Sequence, residues 1–580
     1  YVFLQFAHND SKVDDTLRYA PAQTAYRANL IRYIAEIRGK GGQPVLLTPV
    51  VRRKFDGNGQ FVDQHADYPD VVREVAKAQN VPLIDLWAKS KAMLEELGPE
   101  DSKALFMHLP PGKFPKFPKG LTDNTHFTAY GGARVAALVA EGVRESNLDM
   151  RRFLKKTVFE EKYAYELPQI DVPVFRKDTF NILNYGAKAG GIALNTKAIN
   201  TAIDSCNARG GGVVLIPAGL WLTGPVSLGS NVNLHLETGA LLQLTDDSEQ
   251  YPLVRTNWEG LEAIRNQSPI SGTDLENIAI TGSGIIDGAG MAWRPLKKSK
   301  VTAGEWKKIV AGGGVLNADK DIWYPTERAL KGAGMNRAGV IAEGFDEAKA
   351  AEIKEFLRPN MVSLVRCTRV LIDGPTFQNS PAWTLHPLLC THFTLKNVTV
   401  RNPAYAQNGD GVDVESTRFF HIENCVFDTG DHGICIKYGR AAEGRKRGVP
   451  TSDGIVRNSV VYNAHGGFVI GSEMSGGVRN IYVSGCTFLG SDIGLRFKTT
   501  RGRGGAVEDI YISDINMTDI PHEAILFDMY YNGKAADEAL KNPEMAKLPV
   551  TEETPVFRRS FIKNSAAARA TPSTRKVCRK

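Results

Sequence analysis

Leu395-Lys-Asn397-Val-Thr-Val400 is one copy of a six-residue pattern, apolar-x-Asn/Asp/Gly-x-x-apolar. It returns as Ile422-Glu-Asn424-Cys-Val-Phe427, Val456-Arg-Asn458-Ser-Val-Val461, Val483-Ser-Gly485-Cys-Thr-Phe488 and Ile512-Ser-Asp514-Ile-Asn-Met517. The central residues stand 27, 34, 27 and 29 positions apart. Such a period leaves room for two or three short strands per unit and shows no helical spacing. A propeller blade would need roughly 40 residues or more. The pattern therefore predicts a right-handed parallel β-helix, a stack of coils in which each repeat covers the one before it. We place it at residues 178–565.

Each unit carries a second strand opened by a small residue: Gly411-Val-Asp-Val-Glu, Gly433-Ile-Cys-Ile-Lys, Gly467-Phe-Val-Ile-Gly, Gly494-Leu-Arg-Phe-Lys and Ala524-Ile-Leu-Phe-Asp. Aligned on that residue, the first and third positions are apolar and point into the core, and the second and fourth point outward. The outward set holds Asp413, Glu415, Lys437, Arg496, Lys498 and Asp528. Just before the opening residue, Asp410 and His432 share one phase and Asp431 and His465 share the next. Coils stack about 4.8 Å apart, so these four residues are expected at one edge of a sheet, with Arg496 and Lys498 on the adjacent face. Paired carboxylates at that distance suit glycoside hydrolysis, one protonating the leaving oxygen while the other activates water. Arg496 and Lys498 could clamp an acidic substrate. Arg445-Lys-Arg447 and Arg501-Gly-Arg503 flank the cluster and read equally well as polyanion contacts or solvated charge.

Upstream, residues 1–147 alternate strand and helix. Tyr1-Val-Phe-Leu, Val45-Leu-Leu-Thr-Pro and Val81-Pro-Leu-Ile read as buried strands, and Tyr130 to Glu145 as an amphipathic helix. That alternation predicts an α/β layer with a parallel sheet. Residues 148–177 read as a linker. After Lys563 the repeat fades, and residues 566–580 look like an atypical, non-native tail. The opening strand looks already under way, so both ends are expected to be truncated.

The 580 residues suit more than one domain. No apolar run is long enough to span a membrane. A net charge of +7 without a basic reading motif argues against a nucleic-acid partner and is compatible with an acidic polymer. The seven cysteines lack metal-ligand spacing, and Cys425 and Cys486, at one point of the repeat, are expected to stack in the core rather than cross-link.

The order and spacing of these segments resemble the polygalacturonases of glycoside hydrolase family 28. Asn408 and Asp410 correspond to that family's Asn-x-Asp motif, Gly430, Asp431 and His432 to its Gly-Asp-Asp, Ala464, His465 and Gly466 to its Gly-His-Gly, and Arg496 and Lys498 to its Arg-x-Lys. Its downstream tyrosine falls on Tyr530, with Tyr531 next. The resemblance implies hydrolysis of α-1,4-galacturonosyl bonds in pectin or polygalacturonate of the plant cell wall, with inversion and without metal or cofactor. It further implies a secreted or periplasmic monomer. Asp431 would be the general acid, Asp410 would help activate water, His465 would tune the acid, and Asn408, Arg496, Lys498 and Tyr530 would bind substrate. His432 stands where the family has an acid. It removes a negative charge and so weakens the electrostatic support for a protonated Asp431, which predicts reduced or altered activity.

The first domain resembles the second half of SGNH hydrolases, the flavodoxin-like fold of rhamnogalacturonan acetylesterases. Gln5-Phe-Ala7-His-Asn9-Asp10 looks like that family's Gly-x-Asn-Asp block and Asp123-Asn-Thr-His126 like its Asp-x-x-His block. Asn9 would donate to an oxyanion, and Asp123 and His126 would supply the triad's acid and base. The block with the serine nucleophile is not in this sequence, so the domain is expected to be esterase-dead as it stands. Competing readings are a pectate-lyase-like enzyme, a rhamnogalacturonan-directed hydrolase, and a non-catalytic glycan-binding β-helix. The insertion at 291–358, with Trp293, Trp306, Trp323 and Tyr324, could wall one end of a cleft and favour exo action.

Overall fold

The computed structural model describes residues 1–109, 111, 117–146, 148–153, 167–531 and 549–568. The chain divides into two compact units, Tyr1–Leu167 and Pro168–Lys580. In the first, Val2–Leu4, Pro44–Leu47 and Leu83–Ile84 form a parallel sheet in chain order, as the alternation predicts. Helices Arg27–Gly39 and Tyr68–Ala78 pack on it through Leu30, Ile34, Val71, Val72 and Val75. Phe106–Leu109 pairs antiparallel with Leu121–Phe127, and helix Ala129–Glu145 follows, capped by Thr128 accepting from Gly131 N.

The second unit is a right-handed parallel β-helix of three long sheets, of 11, 10 and 9 strands. Each coil visits all three in turn. Thr391–Lys396, Thr399–Arg401 and Val412–Glu415 make one coil, and Arg418–Glu423, Val426–Asp428 and Ile434–Tyr438 the next. The six-residue pattern is the corner between the first and second sheets. Its central residue lies in the left-handed region each time: Asn397 (φ 55°), Asn424 (55°), Asn458 (52°), Gly485 (62°) and Asp514 (56°). Only glycine and short polar side chains enter that region at low cost, which is why the pattern admits Asn, Asp and Gly there.

Inside the stack the second sheet lines up Phe377, Val400, Phe427, Val461, Phe488 and Met517, all buried. Each such side chain contributes about 1.5–3 kcal/mol by leaving water. Cys425 and Cys486 are buried free thiols, consistent with the stacked reading. The insertion follows the coil strand Ile285–Asp287. Its Trp306 and Trp323 pack with Leu296, and Trp293 and Tyr324 are buried.

The repeat extends further than its sequence suggests. Asn564 repeats the left-handed corner (φ 47°), and Ala566–Ala568 pairs with Asn516–Thr518, so the first residues of the expected tail are one more rung. Alanine hides the pattern because it lacks apolar contrast. Residues 569–580 lie outside the described residues, as do 154–166 of the expected linker. Pro168–Thr179 belongs to the second unit, where Asp171 N donates to His392 Nδ1 at 3.0 Å.

The corners set a stability test. Asn424→Val forces a β-branched residue to φ 55° and is expected to cost about 1–2 kcal/mol, whereas Asn424→Gly should change stability little. Equilibrium denaturation of both variants reads the difference.

Candidate active site

The third sheet's register is the one the aligned strands predict. Val412, Ile434, Phe468 and Leu495 pair in sequence, and so do Val414, Ile436, Ile470 and Phe497. The turns entering this sheet carry Asp410, Asp431 with His432, and His465, and they stack by backbone hydrogen bonds. Gly411 N donates to His432 O, Gly433 N to Gly466 O, and His465 N to Asp431 O, at 2.9–3.1 Å. Glycine opens the strand because a Cβ on Gly433 would sit 2.4 Å from Val461 and one on Gly411 2.4 Å from Gly433 O.

These turns bring the predicted residues together. Asn408 N donates to Asp431 Oδ2 at 3.2 Å, and His432 Nε2 lies 3.7 Å from Asp431 Oδ1. The rings of His432 and His465 are 6.3 Å apart. His465 Nδ1 is held by Asp492 at 2.6 Å, which fixes the ring and leaves Nε2 free of that partner. The Asp492 carboxyl is held below the usual range by this hydrogen bond, despite partial burial.

One expectation is corrected. The outward residues Asp413, Glu415, Lys437 and Lys498 do point away from the coil core, yet all are buried. An antiparallel hairpin, Leu253–Trp258 with Leu261–Asn266, meets this region, with Trp258 stacked on Trp383. Its turn meets the segment after Ile434–Tyr438: Arg447 Nη2 donates to Gly260 O and Glu262 N to Glu443 Oε1. Away from water the charges pair. Lys437 Nζ lies 3.0 Å from Glu473 and 3.6 Å from Asp413. Glu473 also takes Arg503 at 3.0 Å, and Glu415 takes Arg447 at 2.6 Å and His386 at 3.0 Å. Two of the flanking basic residues, Arg447 and Arg503, are therefore structural counter-ions. Arg445, on the short helix Ala441–Arg447, donates to the Gly502 and Arg503 carbonyls.

Burial sets the protonation pattern. It drives the Asp410 carboxyl well above the ordinary range, with Asp431 and Asp413 adding to the rise. Asp413 is pushed up to about 7 by burial, against the pull of Lys437. Burial opposes the charge on Glu415, but His386 and Arg447 more than offset it and hold its carboxyl at about 2. For His432, burial and then the nearby Lys498 lower the imidazole far below its usual value, so it is neutral. Lys498 Nζ lies 2.6 Å from His432 Nε2. An ammonium there donates, so Nε2 is the acceptor and the ring proton sits on Nδ1.

The tyrosine expectation is also corrected. Tyr530 is exposed, with its N–H on Asp528. Tyr531 is the one in the site, its ring 4.6 Å from Lys498 Nζ and 5.7 Å from Arg496 Cζ. Both tyrosines follow the strand Ile525–Asp528 as immediate neighbours, and the motif alone could not choose between them. Lys437, Glu473, Arg503, Trp258 and Trp383 complete the surroundings. Lys437 was legible as an outward position. Glu473 was not, because the pairing slips between Ile436 and Tyr438 and Glu473 lies two places beyond the aligned stretch.

Among the described residues, Asp410, His432 and Cys435 are a set whose ligand atoms fall within 4.8 Å of one another. The Lys498 ammonium already lies against that imidazole and supplies positive charge there. In the first unit, His126 Nδ1 lies 2.6 Å from Asp123 Oδ2, and Asp123 Oδ1 accepts from Thr125 N and His126 N. Asn9 is exposed in the turn after the first strand, its carbonyl accepting from Lys12 N.

Residues 329–551 match Glycosyl hydrolases family 28. A protein from Vitis vinifera named probable polygalacturonase is 28% identical over 352 residues, 59% of this chain and 61% of its own length. Rhamnogalacturonan acetylesterase RhgT of Bacillus subtilis (strain 168) is 42% identical over 154 residues, 27% of this chain and 65% of its own length. The chain thus spans less than two thirds of either protein. The crystal structure of a hyperthermoactive exopolygalacturonase from Thermotoga maritima superposes with a TM-score of 0.54 at 32% identity, covering 69% of this chain and 82% of that one. By these matches the chain belongs to glycoside hydrolase family 28 through its second unit, joined to a first unit homologous to rhamnogalacturonan acetylesterases.

Proposed function

We propose that the second unit hydrolyses α-1,4-galacturonosyl bonds in polygalacturonate, the acidic backbone of pectin. The observation that carries this reading is the meeting of Asp410, Asp431 and His432 on stacked turns beside Arg496 and Lys498. Asp431, whose side chain keeps 22% exposure, faces the solvent side and would protonate the leaving oxygen. Asp410 would take the proton of the attacking water, and inversion follows from acid and base acting on opposite faces of the sugar. Arg496 and Lys498, with Tyr531 packed against them, would hold the substrate carboxylate. The relative from Thermotoga maritima is named an exopolygalacturonase, and end-on cleavage is the mode we assign. A substrate of this kind lies outside the cell, so the enzyme would be exported.

His432 alters the base half of the reaction. Its Nε2 is taken by Lys498, so it does not accept the water proton there, and Asp410 is left as the base. Because Asp410 is raised, it is ionised, and able to accept, only above that raised value. The acid limb of the kcat/KM profile is therefore expected at higher pH than an ordinary carboxylate near about 4 would give. His432→Asp restores a second acid and is expected to raise turnover on polygalacturonate. Equal turnover of the two proteins would sink this account of His432.

Reducing-sugar release from polygalacturonate, with sizing of the products, tests the whole reading. Asp431→Asn should lower kcat by about 10²–10⁴-fold without a matching change in melting temperature. Release of unsaturated products, or loss of activity on chelation, would instead indicate a lyase.

A further inference from the structure

Three buried arginines lie beside the site without a carboxylate partner among the described residues: Arg265 (4% exposed), Arg294 (1%) and Arg358 (9%). Burying a cation without a counter-charge is costly, and proteins normally pair it. Arg294 gives one nitrogen to Ser380 O. Arg358 is spent on neutral groups, the carbonyls of Pro381 and Gln407 and the Asn408 side chain at 2.8 Å. Arg265 is different. Its Nε donates to Arg358 O, and its Cζ lies over Trp258, 3.6 Å from the ring centre. No described residue accepts from its two terminal nitrogens. Stacking on an aromatic face leaves such in-plane donors directed sideways, the geometry that takes a carboxylate in a fork.

The surroundings are built for rigidity. Trp258 stacks on Trp383 at 5.7 Å and 15°, and Lys437 Nζ caps the far face of Trp383 at 4.7 Å. Trp383 enters the third sheet one coil before Asp410, for Thr384 N donates to Asp410 O. Arg496 lies on the second strand after Asp431 and His432. Trp383 and Arg496 thus flank Asp431 along the stack, each two coils, or about 10 Å, away, and Arg265 lies on the Trp383 side through Trp258.

We propose that Arg265, held over Trp258 and backed by Arg358, is a second carboxylate anchor, taking the acid group of a sugar on the opposite side of the cleavage point from the one held by Arg496 and Lys498. The anchor rests on the reading of the chain as a uronan hydrolase. It makes recognition depend on acid sugars on both sides of the bond, so a methyl ester at the Arg265 end should bind poorly. Burial lowers the Arg265 guanidinium to about 9, which leaves it charged at neutral pH.

Calorimetric titration of trigalacturonate and its fully methyl-esterified form into the full chain, with Asp431→Asn silencing hydrolysis, tests this. Adding Arg265→Gln is expected to weaken binding of the acid trimer about 10- to 100-fold while leaving the ester's weak binding unchanged. Arg265→Lys, which keeps the charge but not the fork, should fall between and covers the case of a Gln variant that fails to fold. Unchanged affinity for the acid trimer, or equal loss for acid and ester, overturns the anchor alone. Failure of the Asp431→Asn parent to bind the acid trimer overturns the anchor and the hydrolase reading together.

Discussion

Everything in the second unit depends on coils staying in register, one strand spacing apart. A single slipped residue would turn each outward side chain into the core. Two local features hold the register. Left-handed corners at Asn397, Asn424, Asn458, Gly485 and Asp514 end the first sheet at the same point of every coil. Glycines at 411, 433 and 467 let adjacent turns approach closely enough to hydrogen-bond. Residues tens of positions apart thereby become neighbours, and Asp410, Asp431, His432 and His465 gather without any long loop.

Stacking alone would leave those side chains in water. In the fold Asp410 and His432 are buried, and the hairpin Leu253–Asn266 meets this region through Trp258 on Trp383 and Gly260 O on Arg447. The outward charges form a buried lattice in which Lys437 bridges Asp413 and Glu473, and Arg447 neutralises Glu415. In such a lattice a carboxylate hydrogen-bonded by His386 and Arg447 is held low, while burial raises those without such partners. That contrast separates Glu415 from Asp410, although each lies at the third sheet and both are buried.

His432 sits where these effects meet. Burial and neighbouring cations keep it neutral, and a neutral imidazole accepts from Lys498 where a carboxylate would have formed an ion pair. The exchange preserves packing and a hydrogen bond while moving one unit of charge out of the site. The buried arginines Arg265, Arg294 and Arg358 show the opposite imbalance, positive charge with no carboxylate partner among the described residues.

The sequence by itself determined the coils, their period, the strand register and the grouping of the motif residues, because each follows from local rules of alternation and of left-handed turns. In the first unit it likewise determined the parallel strands and the Asp123–His126 pair, which are close in the chain. Only the tertiary structure decided that the outward charges are buried, that Tyr531 rather than Tyr530 faces Lys498, that Arg447 and Arg503 serve as counter-ions, and that Ala566–Ala568 continue the stack. These outcomes depend on contacts with a distant hairpin, a slip in strand pairing and the weak signature of alanine. Contacts between segments hundreds of residues apart leave no period in the sequence, and it is they that set the dielectric in which the site works.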